Sequence, residues 1–225
     1  MLKISNLSIG NSGSAILGNI NAELESSKLT CLVGKNGTGK STLIRTLSGF
    51  QKPIDGKVCI NRDTDLFSLS VKRLSKFLSV VLTDKPVFDN LTVFDVVSLG
   101  RSPFNGIFGS LSHRDIDSVN NALYLTGTER LQNRRINDLS DGERQKVMIA
   151  KAIAQETPLI LLDEPSAFLD YESKNELMIL LSKLAHENGK SILVSSHDLD
   201  IVRKTADVFW IIENGVFRVS GELPF

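Results

Sequence analysis

The sequence predicts an α/β protein: a mainly parallel sheet covered by helices, preceded by an antiparallel β subdomain and interrupted by a helical lobe. Three observations carry this. Apolar strand-like runs alternate with helical spacing before residue 60 and again after residue 143. The runs KLTCLVG (28–34) and PLILLDEP (158–165) are almost continuously apolar, as expected of strands buried on both faces. Residues 91–140 carry helical spacing and no strand pattern.

In chain order, LKISNLSI (2–9) and residues 16–24 alternate apolar and polar like half-buried strands. KLTCLVG follows, then KSTLIRTLSG, whose Leu43, Ile44 and Leu47 share a helix face that stops at Ser48-Gly49. GKVCI (56–60) and FLSVVLT (77–83) are short strands. LTVFDVVSLG (91–100) reads as a helix ending at glycine, and RSPFNGIFGS (101–110) as a loop with exposed aromatics. Ser112 and Asp115 form a capping-box pattern ahead of a helix with Ile116, Val119 and Leu123. GERQKVMIAKAIAQ is an amphipathic helix, and a long helix from about Glu172 closes at Asn188-Gly189. KSILVSSH is a strand, residues 198–204 a helix, and the last segment a hairpin with Asn214-Gly215 as its turn. The division that results is a core of about 1–88 and 143–225 with a lobe of about 89–142, in one domain.

Composition narrows the class. The chain has 225 residues, 41% hydrophobic and 23% charged, enough for a sizeable core. Lys+Arg and Asp+Glu are both 26, which gives no electrostatic case for nucleic acid as a partner. The N-terminus lacks the apolar run of a signal peptide, and no stretch approaches the roughly 18 apolar residues of a membrane span, so a cytoplasmic domain is expected. Cys31 and Cys59 lie in apolar strands and read as reduced core thiols, ahead of a disulfide or metal pair.

Residues 34–42, GKNGTGKST, fit the phosphate-loop pattern Gly-x4-Gly-Lys-Ser/Thr between a strand and a helix. Gly34, Gly37 and Gly39 let the backbone turn N–H groups toward phosphates, with Lys35, Asn36, Thr38 and Thr42 completing the cradle. Lys40 adds a charge on the β- and γ-phosphates, Ser41 can ligate Mg²⁺, and the helix beginning near Gly39 aims its positive end at the same place. This motif alone does not separate kinases, GTPases, recombinases and transport motors. Asp163, at the end of an apolar strand, can hold Mg²⁺ through water, and Glu164 can act as general base on an attacking water. The pair points to nucleotide hydrolysis. His197 closes SILVSSH at a strand end where ligands bind in open α/β folds. Spacing leaves two readings for it, a capped surface residue or a hydrogen-bond partner of the γ-phosphate.

Taken in order, GKNGTGKST, LSDGERQ (139–145), LILLDEP, SAFLD (166–170) and the His of SSH resemble the nucleotide-binding domain of ABC transporters. They are similar to the P-loop, the signature motif (usually LSGGQ), the Walker B strand with its catalytic glutamate, the D-loop and the switch histidine. The resemblance spans most of the chain and implies a RecA-like P-loop NTPase core that binds ATP and Mg²⁺. It implies that two copies pack head-to-tail when ATP is bound, so that Ser140 and Gly142 cap the nucleotide held by the other copy. Asp170 then lies at the dimer seam, a role compatible with capping the helix that follows. It makes Lys40, Glu164 and His197 the catalytic set, and Ser41, Asp163 and Thr83 the metal set. Thr83 stands where the family usually has glutamine, and Asn11 where it usually has an aromatic that stacks on adenine. Asp141 and Glu143 replace the usual glycine and glutamine of the signature.

NLTVFDVVSLGRSPF resembles the corresponding segment of importer ATPases for iron-siderophore, haem and cobalamin. That implies a protein peripheral on the cytoplasmic face of the cell membrane, bound to transmembrane permease subunits and served indirectly by an extracytoplasmic substrate-binding protein. A groove around Thr83–Phe94 is then expected to receive a permease helix. The alternative is a soluble ABC-type ATPase acting as a nucleotide-dependent interaction module. Residues 42–138 hold none of the sustained heptads of repair-type members, and intact Lys40, Asp163, Glu164 and His197 argue against degenerate catalysis.

Overall fold

The computed structural model describes residues 2–11, 14–61, 63–84, 86, 88–105 and 109–223. Two long alternating strands open the chain, β1 (Leu2–Asn11) and β2 (Ser14–Leu24), and pair antiparallel from Leu2↔Leu24 to Asn11↔Ser14. With β4 (Asp55–Ile60) and the two-residue β5 (Thr64–Asp65) they form a sheet of order β2-β1-β4-β5. The second sheet contains β3 (Leu29–Gly34), β6 (Leu78–Val81), β7 (Leu159–Leu162), β8 (Ser191–Ser196), β9 (Val208–Glu213) and β10 (Val216–Ser220). Its order is β10-β9-β3-β8-β7-β6, parallel throughout except for the terminal hairpin. Asn214 and Gly215 turn that hairpin at φ 51° and 75°, the left-handed pair that a tight primed turn requires.

The parallel sheet divides its side chains between two cores by the period-two rule. Leu29, Cys31 and Val33 of β3, with Ile160, Leu162, Ile192, Val194, Phe209 and Ile211, face one layer of helices. Leu32, Leu159, Leu161, Leu193, Trp210 and Ile212 face the other way, onto the apolar side of β1 and β2 and onto helix α1 (Lys40–Leu47). Both faces are therefore covered, which is why these strands read as unbroken apolar runs. Cys31 is buried, which pushes its thiol up, and both cysteines are free.

Residues 61–76, for which the sequence offered no element, contain β5 and the single helical turn α2 (Val71–Leu74). The helix expected over 91–100 is shorter: α3 spans Val93–Ser98 and tightens into a 3₁₀ turn, Leu99–Arg101. A Cβ on Gly100 would lie 2.4 Å from the Lys151 carbonyl, so the chain passes against the backbone of the long helix α5 (Asp141–Ala154) there. Helix α4 (His113–Leu125) follows the Ser112 capping box. Of the expected loop aromatics, Phe104 is exposed and lies 4.5 Å from the Arg101 guanidinium; Phe108 lies outside the described residues. Helices α6 (Tyr171–Asn188), closed by Gly189, and α7 (Leu199–Thr205) complete the fold. No helix among the described residues is long and apolar enough to cross a membrane.

Candidate functional site

Parallel register puts the chemistry at one edge. β3 pairs Val33 with Ser196, β7 pairs Leu162 with Val194, and β6 pairs Val81 with Leu162. The strands therefore finish side by side. The loop 34–39 leaves β3, His197 follows β8, Asp163 and Glu164 follow β7, and Thr83 follows β6. Sheet order places His197 between the loop and the two carboxylates. A strand edge of this kind, outside the carboxyl ends of parallel strands, is where open α/β sheets bind ligands.

Gly34 is the last residue of β3, and Lys35, Asn36 and Gly37 are exposed at the loop's tip. The Thr38 hydroxyl donates to the Lys35 carbonyl at 2.8 Å and holds the turn closed. Gly39, at φ 103°, is the N-cap of α1, a backbone conformation open only to glycine. Helix α1 carries Lys40, Ser41 and Thr42 in its first turn, with Ser41 exposed. Lys40 is 5% exposed; its ammonium donates to the Gly34 and Lys35 carbonyls at 2.8 and 3.1 Å and stands 3.5 Å from Glu164 Oε1. A cavity of about 310 Å³ opens beside the loop, lined by Gly34, Lys35, Thr38, His197 and Leu199.

Glu164 also meets His197, Oε2 to Nδ1 at 3.8 Å. The Glu164 backbone sits at φ 47°, uncommon for a side-chain-bearing residue, and its N–H donates to Ser195 Oγ at 2.8 Å. Ser195 Oγ in turn donates to Asp163 Oδ1 at 2.8 Å, and Thr83 Oγ1 donates to Asp163 Oδ2 at 3.1 Å. Ser195 was missed by sequence reasoning. Its signal was a pair of serines inside an otherwise apolar strand, both of them buried. After His197, Asp198 is held by Lys174 at 3.0 Å, and its N–H by the Ser196 hydroxyl at 3.1 Å.

The structure thus brings together Lys40, Thr83, Asp163, Glu164 and His197. Ser140 and Gly142 stand elsewhere, on the N-terminus of α5. There Ser140 Oγ accepts the Glu143 N–H at 3.3 Å, while Glu143 Oε2 accepts the Ser140 N–H and hydroxyl, each at 2.9 Å. These bonds with Ser140 hold the Glu143 carboxyl below its usual range. A Cβ on Gly142 would lie 3.4 Å from the Phe168 carbonyl, so the signature helix starts against the segment leading to Asp170. Asp170 caps α6 by accepting the Ser173 N–H at 2.8 Å. No hydrogen bond or ion pair among the described residues joins Ser140 or Gly142 to residues 34–42. Asn11 is engaged by Gln51, whose amide donates to it at 3.0 Å.

The donors that the fold offers are one buried carboxylate, Asp163, the Thr83 hydroxyl bonded to it, and the exposed Ser41 hydroxyl in the first turn of α1. Hard oxygen donors with a single carboxylate fit Mg²⁺, which takes most of its other ligands from water and phosphate. No cluster of three or more His, Cys, Asp or Glu that could cage a metal occurs among the described residues.

Comparison with known proteins gives a consistent picture. The family model described as ABC transporter matches residues 17–167. An uncharacterized ABC transporter ATP-binding protein of Methanocaldococcus jannaschii is 41% identical, over 95% of this chain and 73% of the relative. The iron(3+)-hydroxamate import ATP-binding protein of Bacillus subtilis is 37% identical, over 98% and 81%. The achromobactin transport ATP-binding protein of Dickeya dadantii is 36% identical, over 96% and 80%. Among solved structures, a dimeric bacterial ABC transporter cassette superposes with a TM-score of 0.87 at 26% identity, covering all of both chains. A structure described as an inward-facing metal-chelate type ABC transporter gives 0.84 at 27%, covering 98% of this chain and 82% of the other.

Proposed function

The chain belongs to the ABC transporter family and is an ABC-type ATPase coupled to transport; on that premise we propose that it powers the import of a metal chelate of the iron-siderophore, haem or cobalamin type. The observation that carries the catalytic part is the file of Lys40, Glu164 and His197 along one strand edge, 3.5 and 3.8 Å apart, beside Asp163. The cargo class rests on the lobe segment NLTVFDVVSLGRSPF and on relatives named for achromobactin and iron(3+)-hydroxamate.

Each residue has a role that its surroundings suit. The backbone of Gly34, Lys35, Asn36, Gly37, Thr38 and Gly39, with Thr42 behind it, cradles the phosphates of ATP at the N-terminus of α1. Lys40 exchanges its two loop carbonyls for the β- and γ-phosphates, which also frees Glu164 from its nearest cation. Ser41 and Asp163, the latter steadied by Thr83, would hold Mg²⁺, which would supply neutralisation of the charge on the phosphate oxygens. Glu164 takes a proton from water as the water attacks the γ-phosphorus; the β–γ bridge breaks, releasing ADP and phosphate. His197, through its ring nitrogens, orients the γ-phosphate and the water beside Glu164.

Ser140 and Gly142 complete the site of a second copy packed head-to-tail, which fits the lack of any bond, among the described residues, between them and residues 34–42. The core of about 1–88 and 143–225 binds nucleotide. The lobe of about 89–142 meets the permease at the cytoplasmic face of the membrane, and a substrate-binding protein delivers cargo from the other side.

The test is Glu164→Gln. ATP binding should persist while hydrolysis falls by about two to four orders of magnitude. In size-exclusion chromatography the variant should shift from monomer to dimer on adding ATP. Hydrolysis equal to the parent would sink the assignment of Glu164.

A further inference from the structure

Asp163 is almost fully buried, and each of its carboxylate oxygens already holds a hydroxyl. Ser195 Oγ donates to Oδ1 at 2.8 Å, and Thr83 Oγ1 donates to Oδ2 at 3.1 Å and also lies 3.1 Å from the Asp163 carbonyl. The two hydroxyls arrive from opposite sides of β7, one on β8 and one just beyond β6. An aspartate carboxylate otherwise turns easily about its last torsion, because that rotor is broad. One donor on each oxygen removes the freedom. Ser195 also accepts the Glu164 N–H at 2.8 Å, so the same hydroxyl fixes the next residue in its left-handed conformation.

Thr83 is itself held in place. Asp84, the next residue, pairs with Arg45 of α1, and the Pro86 carbonyl accepts from Arg144 of α5. The chain leaving the sheet is thus fastened to the phosphate-loop helix and to the signature helix within a few residues of Thr83. Its hydroxyl proton is committed to Asp163, so Thr83 acts on a bound metal through that carboxylate.

We propose that Thr83 and Ser195 are positioning residues that clamp the Asp163 carboxylate from both sides and so set how tightly the site holds its divalent cation. The inference rests on the reading of Asp163 as the Mg²⁺ organiser. It assigns to the short hydroxyl at position 83 a specific bond.

The experiment uses the full chain in the Glu164→Gln background, so that ATP is not consumed. Mn²⁺ binding to the ATP complex is followed by electron paramagnetic resonance, and ATP binding in EDTA is measured separately. Thr83→Val keeps the side-chain outline at an exposed position and removes only the hydroxyl. It should weaken Mn²⁺ by about threefold to tenfold, the scale of one ordinary hydrogen bond, while ATP binding in EDTA stays within about twofold. Thr83→Ser should restore the Mn²⁺ affinity, and Ser195→Ala should weaken it in the same direction as Thr83→Val. Unchanged Mn²⁺ affinity in Thr83→Val, or equal weakening in Thr83→Ser, would overturn the clamp. A loss of ATP binding in EDTA that matches the loss of Mn²⁺ would also overturn it, since a general distortion moves both. If the Thr83-intact protein bound neither ATP nor Mn²⁺-ATP, the reading of the site would fall together with the clamp.

Discussion

Two helix starts in this molecule make the same bonds in different surroundings. At Ser112 the backbone N–H and hydroxyl donate to Asp115 Oδ2 at 2.9 and 2.6 Å, and the Asp115 N–H returns to Ser112 Oγ at 3.2 Å. At Ser140 the corresponding distances to Glu143 are 2.9, 2.9 and 3.3 Å. The difference lies in what stands behind the acid. Asp115 accepts the Arg101 Nε at 2.8 Å, and Arg101, 3% exposed, reaches on to the Ala154 carbonyl at 2.7 Å and Glu156 at 3.0 Å. Glu143 is more than a third exposed, with Arg134 at 3.7 Å. The first box is sealed into a web that ties α4 to the end of α5. The second opens on solvent with an exposed hydroxyl and the positive end of a 14-residue helix. A capping box is a local device, and its surroundings decide whether it is sealed in or open to solvent.

The sharpest way to break this contrast is Arg101→Ala, which strands the buried Asp115 and takes a partner from the exposed Glu156. It should lower unfolding free energy by about 3–5 kcal/mol in urea titrations. A loss under about 1 kcal/mol would mean that the first box is no more structural than the second. Next in size come the two serines. Ser112→Ala and Ser140→Ala should each cost about 1 kcal/mol of stability, because each removes one cap. In the Glu164→Gln background, however, only Ser140→Ala should abolish the ATP-dependent dimer; equal dimerisation by both variants would dissolve the distinction. Acid dependence gives a further test. Hydrogen bonds from Ser112, then from Arg101, hold the Asp115 carboxyl down at about 2. A depressed acid contributes stability above its unfolded value of about 3.9 and loses it as pH falls toward its folded value. The parent should therefore lose more stability between about pH 4 and pH 2 than Asp115→Asn does, and parallel curves would count against the web.

Much of the architecture was legible because its signals are local. The phosphate loop is contiguous, the buried strands announce themselves by unbroken apolar runs, and all the capping residues lie within three positions of their partners. Residues 61–76 were not legible, since a two-residue strand and one helical turn are too short for any periodicity to register. Nor was the end of α3 at Ser98: what stops it is the backbone of α5, met by Gly100 more than fifty positions away.

The residue order alone determined the α/β class, the glycine-rich turn that precedes Lys40 and Ser41 between a strand and a helix, and the acidic pair at a strand end, because each is a short-range pattern. Folding was needed to bring Ser195 and Thr83 onto the two oxygens of Asp163, 32 and 80 positions away in sequence. It was needed equally to lead Arg101 across 53 positions to the Ala154 carbonyl. Hydroxyls and guanidinium groups find partners wherever the closed chain places them, and no periodicity in the sequence records a contact between strands that meet only when the sheet is assembled.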